Sequence, residues 1–357
     1  MPNVVNPIDL YSVINLTDAI NSVDPQYGWL MNSNLFDVKG QTTDTLLYEI
    51  NGVRKQTMIG LTSRTEREKV MGARRRKKSA GLVVPYMSTI DQVTSDDVRN
   101  ISKTWDMVSQ EDMMTIFTEK LTEQRANIEL SHEYMILSAA QGITRDPLDG
   151  SEVVNMFDVH GVTQQVVTWD FTDVNFSPIR AINELRNKLV RDNTLSSTVG
   201  LIEVLVGVDL FDAIVTHAEM AERYVSAFAG VGVQALLAST PYDFDTRTAY
   251  GITNMFEWNG IRFMTYPTNF RLEDGSLADP LIADDEGFCM CRGVRNLYRG
   301  AYAPDTRLVN VNTVGQAMTA YRTAIIDESY FNIVAESSAL YYMTAPELAL
   351  KIEAVLV

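Results

Sequence analysis

Residues 109–142 read SQEDMMTIFTEKLTEQRANIELSHEYMILSAAQG, and this stretch decides the fold. Ser109 is a good helix cap, and Asp112 sits three positions on, where a capping-box acid belongs. Met114, Leu121, Ile128 and Met135 recur every seven residues, and Phe117, Leu130 and Leu137 widen the stripe. Gly142 supplies a C-terminal stop. The spacing predicts one helix over 110–141, roughly 48 Å long at about 1.5 Å per residue. A helix of that length crosses a whole domain as a spine. A coiled coil is the competing account, but Gln124 and Ser131 occupy its second seam. His132 is expected on the polar, solvated side.

Upstream lies an unusual charge distribution. Residues 54–78 hold ten Lys or Arg (Arg54, Lys55, Arg64, Arg67, Lys69, Arg74, Arg75, Arg76, Lys77 and Lys78) and two Glu, about +8 in a chain of net −16. The remainder of the chain therefore carries about −24. A like-charge block does not fold on itself. Three readings are open: a solvated tip, a nucleic-acid patch, or a strap onto an acidic partner such as a second copy. Against nucleic acid, the segment has no aromatic residue on which bases could stack. For a strap, charge complementarity steers and orients association.

The segment is flanked by β-prone runs, 45–50 (TLLYEI, then the turn signal Asn51-Gly52) and 81–86 (GLVVPY). Together they predict a long two-stranded excursion. Residues 1–44 are expected to form an extended arm with one short helix within 8–20. Beyond the spine, 153–159 and 165–171 are expected as paired strands. Ser177-Pro178 opens a helix of about a dozen residues. Residues 201–208 form a buried strand, and a helix runs from Asp209 to about Phe228. Strands flank a turn at Asn259-Gly260, 280–285 is a loop, 287–293 a strand, 330–343 is β-prone, and 353–357 forms one more strand. Helices and strands alternate irregularly, which argues α+β.

Composition excludes several classes. The 357 residues are 46% hydrophobic, too apolar for wholesale disorder. No apolar run approaches the length of a membrane span, and the N-terminus lacks a secretory pattern. Two cysteines make no disulfide scaffold, and intracellular synthesis fits. The catalytic inventory is thin: no phosphate loop, no nucleophile elbow, no cofactor expected. His217-Ala-Glu219 with Cys289-Met-Cys291 has a faint likeness to the zinc-deaminase pattern, but the cysteine spacing is wrong and no Pro precedes it. The plain reading is a helical His and two small core side chains. His160, before Gly161, reads as structural, and Asp284-Asp285-Glu286 as a solvated loop, a divalent-cation site being its alternative.

The order of elements, with 142–154 (GITRDPLDGSEVV), 284–303 (DDEGFCMCRGVRNLYRGAYA) and 330–343 (YFNIVAESSALYYM), resembles the major capsid proteins of tailed bacteriophages, and among them the lambda-like protein E family. The resemblance implies the Hong Kong 97-type phage capsid fold: an N-terminal arm (1–44), an extended loop (45–95) lying over a neighbouring subunit, a peripheral domain (96–175) with the spine, an axial domain (176–294), and a return to the peripheral domain (295–357). It implies a shell of hexamers and pentamers enclosing double-stranded DNA without sequence-specific binding, assembled in the host bacterial cytoplasm. A separate scaffolding protein, a portal at one vertex and a decoration protein are the implied partners. No membrane, metal or catalytic residue is expected. The ten basic residues would be subunit contacts. A nanocompartment shell of the same fold and a nucleic-acid-binding protein are the alternatives.

Overall fold

The computed structural model describes residues 16–22, 28–49, 79–94, 96–97, 110–192, 199–227, 255–266, 270–272, 274–310, 312–323 and 330–356. Two short N-terminal helices, α1 (Leu16–Ser22) and α2 (Trp29–Asn32), precede the spine α3 (Gln110–Ala140). Along 115–128 the spine is one-sided: Ile116, Phe117, Leu121, Gln124 and Ile128 are buried, while Thr115, Thr118, Glu119, Glu123 and Asn127 face solvent. From 132 to 140 every side chain is buried, because here the helix runs between two sheets. It ends at Gly142 (φ +91°), where a Cβ would lie 2.7 Å from the Phe157 ring. Ser109 and the side chain of Asp112 fall outside the described residues.

One face of the spine lies on a five-stranded sheet formed by β1 (Asp37–Gly40), β4 (Tyr86–Thr94), β12 (Tyr298–Tyr302), β13 (Thr319–Thr323) and β14 (Tyr330–Met343). The fourteen-residue β14 is the organiser: it pairs antiparallel with β4, β13 and β12. In β4, side chains alternate. Met87, Thr89, Asp91 and Val93 turn inward, and Tyr86, Ser88, Ile90 and Gln92 turn outward, as a sheet covered on one side requires. Lys120 of the spine reaches Asp91 at 3.1 Å.

Strands β2 (Thr45–Glu49) and β3 (Ser79–Val83) form an antiparallel hairpin, with Thr45 opposite Val83 and Glu49 opposite Ser79. Asn51-Gly52 and residues 54–78 lie outside the described residues. A second pair, β5 (Ile143–Arg145) with β6 (Glu152–Asn155), follows the spine. The expected strand over 153–159 is corrected here. Asn155 accepts from the N–H groups of Phe157 (3.0 Å) and Asp158 (3.4 Å) and caps a short helix, α4 (Met156–His160). Gly161, at φ +69°, ends it. The strand at 165–170 (β7, Gln165–Asp170) pairs instead with the C-terminal β15 (Leu350–Val355), in parallel.

The remaining strands complete a six-stranded sheet in the order β7-β15-β11-β8-β10-β9, with β8 at Ile202–Val206, β9 at Met255–Trp258, β10 at Ile261–Thr265 and β11 at Glu286–Cys291. Every residue of β8 and β10 is buried. Asn259 and Gly260, both at positive φ, make the tight β9–β10 turn. Residues 350–355, expected with the peripheral segment, thus pair with this second sheet. Helices α5 (Pro178–Asp192), α6 (Val208–Thr216) and α7 (Ala218–Ala227) belong to the same half of the chain. The helix expected from Asp209 to Phe228 breaks at His217, whose extended backbone (φ −59°, ψ 131°) separates α6 from α7. Gly207 opens α6 because a Cβ there would lie 2.3 Å from two backbone carbonyl oxygens. No helix among the described residues is long and apolar enough to cross a membrane.

The described part of residues 1–44 is docked, not extended. The Arg125 side chain donates to the Ile20 carbonyl at the end of α1 (2.6 Å) while pairing with the buried Glu129. About two turns beyond Arg125, Glu133 accepts from the N–H groups of Leu30 (2.8 Å) and Met31 (2.9 Å) at the start of α2. A cation at a helix C-terminus and an anion at an N-terminus both oppose the local dipole charge. Tyr266, after β10, donates to the same carboxylate. Glu133 therefore ties the N-terminal segment, the spine and the second sheet together.

Candidate assembly surface

The ten basic residues singled out by the sequence all lie outside the described residues, as does the turn beside them. The hairpin from which they leave is described. Its inner face, Tyr48, Leu82 and the following Val84, packs on Val154, Met156, Leu340 and Tyr342. The Tyr48 hydroxyl donates to the Thr344 carbonyl (3.3 Å) and is bonded to His160 Nε2 at 2.9 Å. Burial raises the Tyr48 hydroxyl and lowers the His160 imidazole, so both are neutral anchors of the hairpin root. On the outer face Leu47 is 76% exposed and Val83 64%, among the exposed Thr45, Glu49 and Ser79. On the outward side of β4, Ile90 is 63% exposed between Ser88 and Gln92. Exposed apolar residues set among polar ones are ordinary.

On the same outward side as Ile90 the sheet carries a polar cluster that the sequence did not reveal. Glu336 is buried on β14 opposite Ser88 and Thr319. It accepts from the Tyr321 hydroxyl and from Thr306 Oγ1 (3.3 Å). Burial pushes the Tyr321 hydroxyl up to about 12, and the Glu336 hydrogen bond and charge add to the shift. Arg307 stacks over the Tyr321 ring at 4.5 Å and pairs with Asp305 at 2.6 Å. Asp305, Arg307 and Tyr321 line a groove of about 530 Å³ between α1, the loop 304–316 and β13. The signal for them was faint: Glu336-Ser337-Ser338 interrupts an apolar strand, and polar residues in such a place need partners.

His132 is a correction. It is buried, and its ring bridges the Tyr341 hydroxyl (Nδ1, 2.7 Å) and Ser337 Oγ (Nε2, 2.8 Å). Ser337 donates its own proton to the Ala317 carbonyl (2.6 Å). It must therefore accept from Nε2–H, which leaves Nδ1 to accept from Tyr341. The imidazole is neutral in this relay, and burial lowers its pKa to about 4.

Nothing catalytic is brought together among the described residues. Cys289 and Cys291 are buried thiols in β11, both pushed up by burial, Cys291 to about 12. His217 lies against the rings of Phe171 and Phe176. The backbone carbonyls of Asp284 and Asp285 accept from Leu210 and Ala354, and Glu286 pairs with Lys351 at 2.6 Å. The acidic run is thus a structural junction. No group of three or more His, Cys, Asp or Glu among the described residues is arranged to hold a metal ion.

The chain was compared with known proteins. No curated protein matches it. Among solved structures, a prophage protein of E. coli CFT073 described as a capsid protein shares the fold, with a TM-score of 0.59 at 11% identity over 98% of this chain and 99% of that one. The mature capsid of bacteriophage PhiM1 aligns with a TM-score of 0.49 at 10% identity, over 94% and 90%. The capsid of Staphylococcus phage Andhra aligns at 0.46 and 11%, over 94% and 86%. The family model for phage major capsid protein E matches residues 12–354. With the Hong Kong 97-type architecture and a match over nearly its whole length, the chain belongs to the phage major capsid protein E family.

Proposed function

We propose that this shell-forming capsid protein assembles as hexamers and pentamers into an icosahedral head around double-stranded DNA, and that residues 45–95 reach over a neighbouring copy. The observation that carries this reading is the family match over residues 12–354, joined to a hairpin anchored on its inner face and exposing Leu47 and Val83 on its outer one. The spine and five-stranded sheet would form the peripheral part of each subunit. The six-stranded sheet would form the axial part, around the capsomer centre. Arg54, Lys55, Arg64, Arg67, Lys69, Arg74, Arg75, Arg76, Lys77 and Lys78 would contact the acidic body of the next copy. Attraction between an arm of about +8 and a body of about −24 orients subunits before short-range contacts form. Many weak tethers in one shell become strong together. A separate scaffolding protein, a portal, a decoration protein and assembly in the host cytoplasm complete the proposal. A role as a structural protein without catalysis fits a family of head proteins, and a phage head is favoured over a nanocompartment by the same match.

The test is the triple change Arg74→Glu, Arg75→Glu and Arg76→Glu. The expected outcome is a folded subunit by circular dichroism that forms no shells by electron microscopy. Normal particles from this variant overturn the strap role.

A further inference from the structure

An edge strand offers a row of main-chain donors and acceptors to any other strand, so folded proteins cover or guard such edges. The five-stranded sheet does so. Along β13, Thr17 Oγ1 of α1 donates to the Ala320 carbonyl (3.0 Å) and accepts from the Ala320 N–H (3.2 Å), and Asn21 Nδ2 donates to the Met318 carbonyl (3.2 Å). On β4, Asp91 is an inward-pointing charge held by Lys120. On β1, Lys39 is an exposed lysine. Each of these devices discourages strand addition.

Strand β7 has none of them. It reads QVVTWD, lies at one end of the six-stranded sheet and, among the described strands, pairs with β15 alone. Phe171 N–H donates to the Val355 carbonyl (3.0 Å), so Trp169 and Val167, in step with Phe171, also turn their peptide groups to β15. Those of Val166 and Thr168 are one residue out of step and point away from the sheet. No hydrogen bond meets them among the described residues. Both side chains are exposed and β-branched, as a strand surface favours. Val166 and Val355, each 44% exposed, stand on one face with Thr168 and Glu353 between them.

We infer that the open edge of β7 receives a strand of a neighbouring copy, which bonds to the N–H and C=O groups of Val166 and Thr168. Main-chain bonds of this kind supply the affinity in strand addition, and cross-strand pairs at Val166 and Thr168 add to it. On the proposed arrangement the six-stranded sheet stands around the capsomer centre, where copies meet side to side, and the sides of a sheet are its edge strands. The contact is then heterologous: the edge of one copy meets a different surface of the next, and rotation closes the ring. The edges of the hairpin β2–β3 belong to the reach over a neighbour already proposed. The inference rests on the shell reading and names a strand at which its copies join.

Hydrogen exchange is followed residue by residue in unassembled subunits and in shells. Shells are also formed from copies labelled with heavy nitrogen mixed with copies labelled with heavy carbon. Expected are Val166 and Thr168 amides that exchange about a hundredfold more slowly in shells, while those of Val167 and Trp169 are slow in both forms. Solid-state magnetic resonance should show contacts from the nitrogen-labelled amides of Val166 and Thr168 to carbonyls of carbon-labelled copies. Thr168→Pro removes an outward N–H and leaves the ladder to β15 intact. The unassembled variant should keep the parent's circular dichroism and lose about tenfold in shell yield. Thr168→Val keeps the N–H and should assemble as the parent does. If Thr168→Pro fails to fold, the exchange and labelling measurements on the parent decide. Val166 and Thr168 amides that exchange equally fast in both forms, or that slow down without contacts between differently labelled copies, overturn the pairing and leave the shell reading standing. A folded Thr168→Pro subunit that assembles as the parent does also overturns the pairing. A parent chain that forms no shells overturns both.

Discussion

The two sheets of this subunit are built from similar residues and covered differently. In the six-stranded sheet the inner strands β8 and β10 are buried at every position, and the charges they carry, Glu203 and Arg262, are buried with them. Glu203 is held between Arg262 and Arg292, and Arg292 in turn stacks on Trp29 at 5.4 Å and reaches the Ser33 carbonyl at 3.3 Å. The five-stranded sheet is covered by the spine on one side, and β4 alternates in register with that cover. The six-stranded sheet shows how the subunit stays folded. The five-stranded sheet leaves an outward face that, on the proposed assembly, meets other copies, since a shell needs contacts that repeat and close.

The comparison breaks most readily at Glu203. Replacing it with Ala leaves Arg262 with only Glu257 (3.1 Å) inside the six-stranded sheet. Urea unfolding of the unassembled subunit should show a loss of ~3–5 kcal/mol, as expected when one partner of a buried ion pair is removed.

The next largest effect belongs to His132, where the spine packs on β14 of the five-stranded sheet. Its folded pKa of about 4 lies below the ordinary value of 6.5, so the unfolded chain binds more protons between these values. Its contribution is therefore complete above pH 6.5 and lost as pH falls through 4, up to about 3 kcal/mol. Thermal melts across this range should show acid lability that flattens in His132→Gln. An unchanged slope in that variant removes His132 as the cause.

A smaller effect is expected at Gly28, which has φ +96° and would place a Cβ 2.6 Å from Glu133 Oε2. Gly28→Ala should cost ~1–3 kcal/mol by backbone strain and by pushing the carboxylate from the α2 amides. Faster hydrogen exchange at Leu30 and Met31 than in the parent is the measurement that locates the damage.

The smallest effect on folding, and the sharpest on the contrast, is Ile90→Ser. On an outer face the change should stay within about 0.5 kcal/mol in the unassembled subunit. Light scattering should nevertheless show slower or weaker shell formation. A variant as assembly-competent as the parent would mean that this strip of the sheet is idle.

Local pattern made much of this legible. The seven-residue repeat of Leu121, Ile128 and Met135 marked the spine, Gly142 its end, Asn259-Gly260 the tight turn, and the apolar run at 330–343 the long strand. What misled was locally ambiguous. Val153 to Val159 is β-prone, yet Asn155 and Gly161 cap a helix at its centre. His132 sits beside a polar run that reads as solvated, whereas β14 of the five-stranded sheet packs on that side of the spine. The candidate assembly residues were legible as charge alone, and the groove around Asp305 was not legible, because α1 lies far in sequence from the loop 304–316 and β13 that complete it.

By itself the amino-acid sequence determined the spine, the Asn259-Gly260 turn, the long strand at 330–343 and a strongly basic segment set in an acidic chain, because periodicity, turn chemistry and net charge are local or additive. Only the tertiary structure decided that β7 pairs with the last strand, that Glu133 and Arg125 hold the N-terminal segment, and that Asp305 keeps one oxygen unclaimed. Those outcomes depend on which distant groups share a small buried space, where a polar atom must find a partner or go without one.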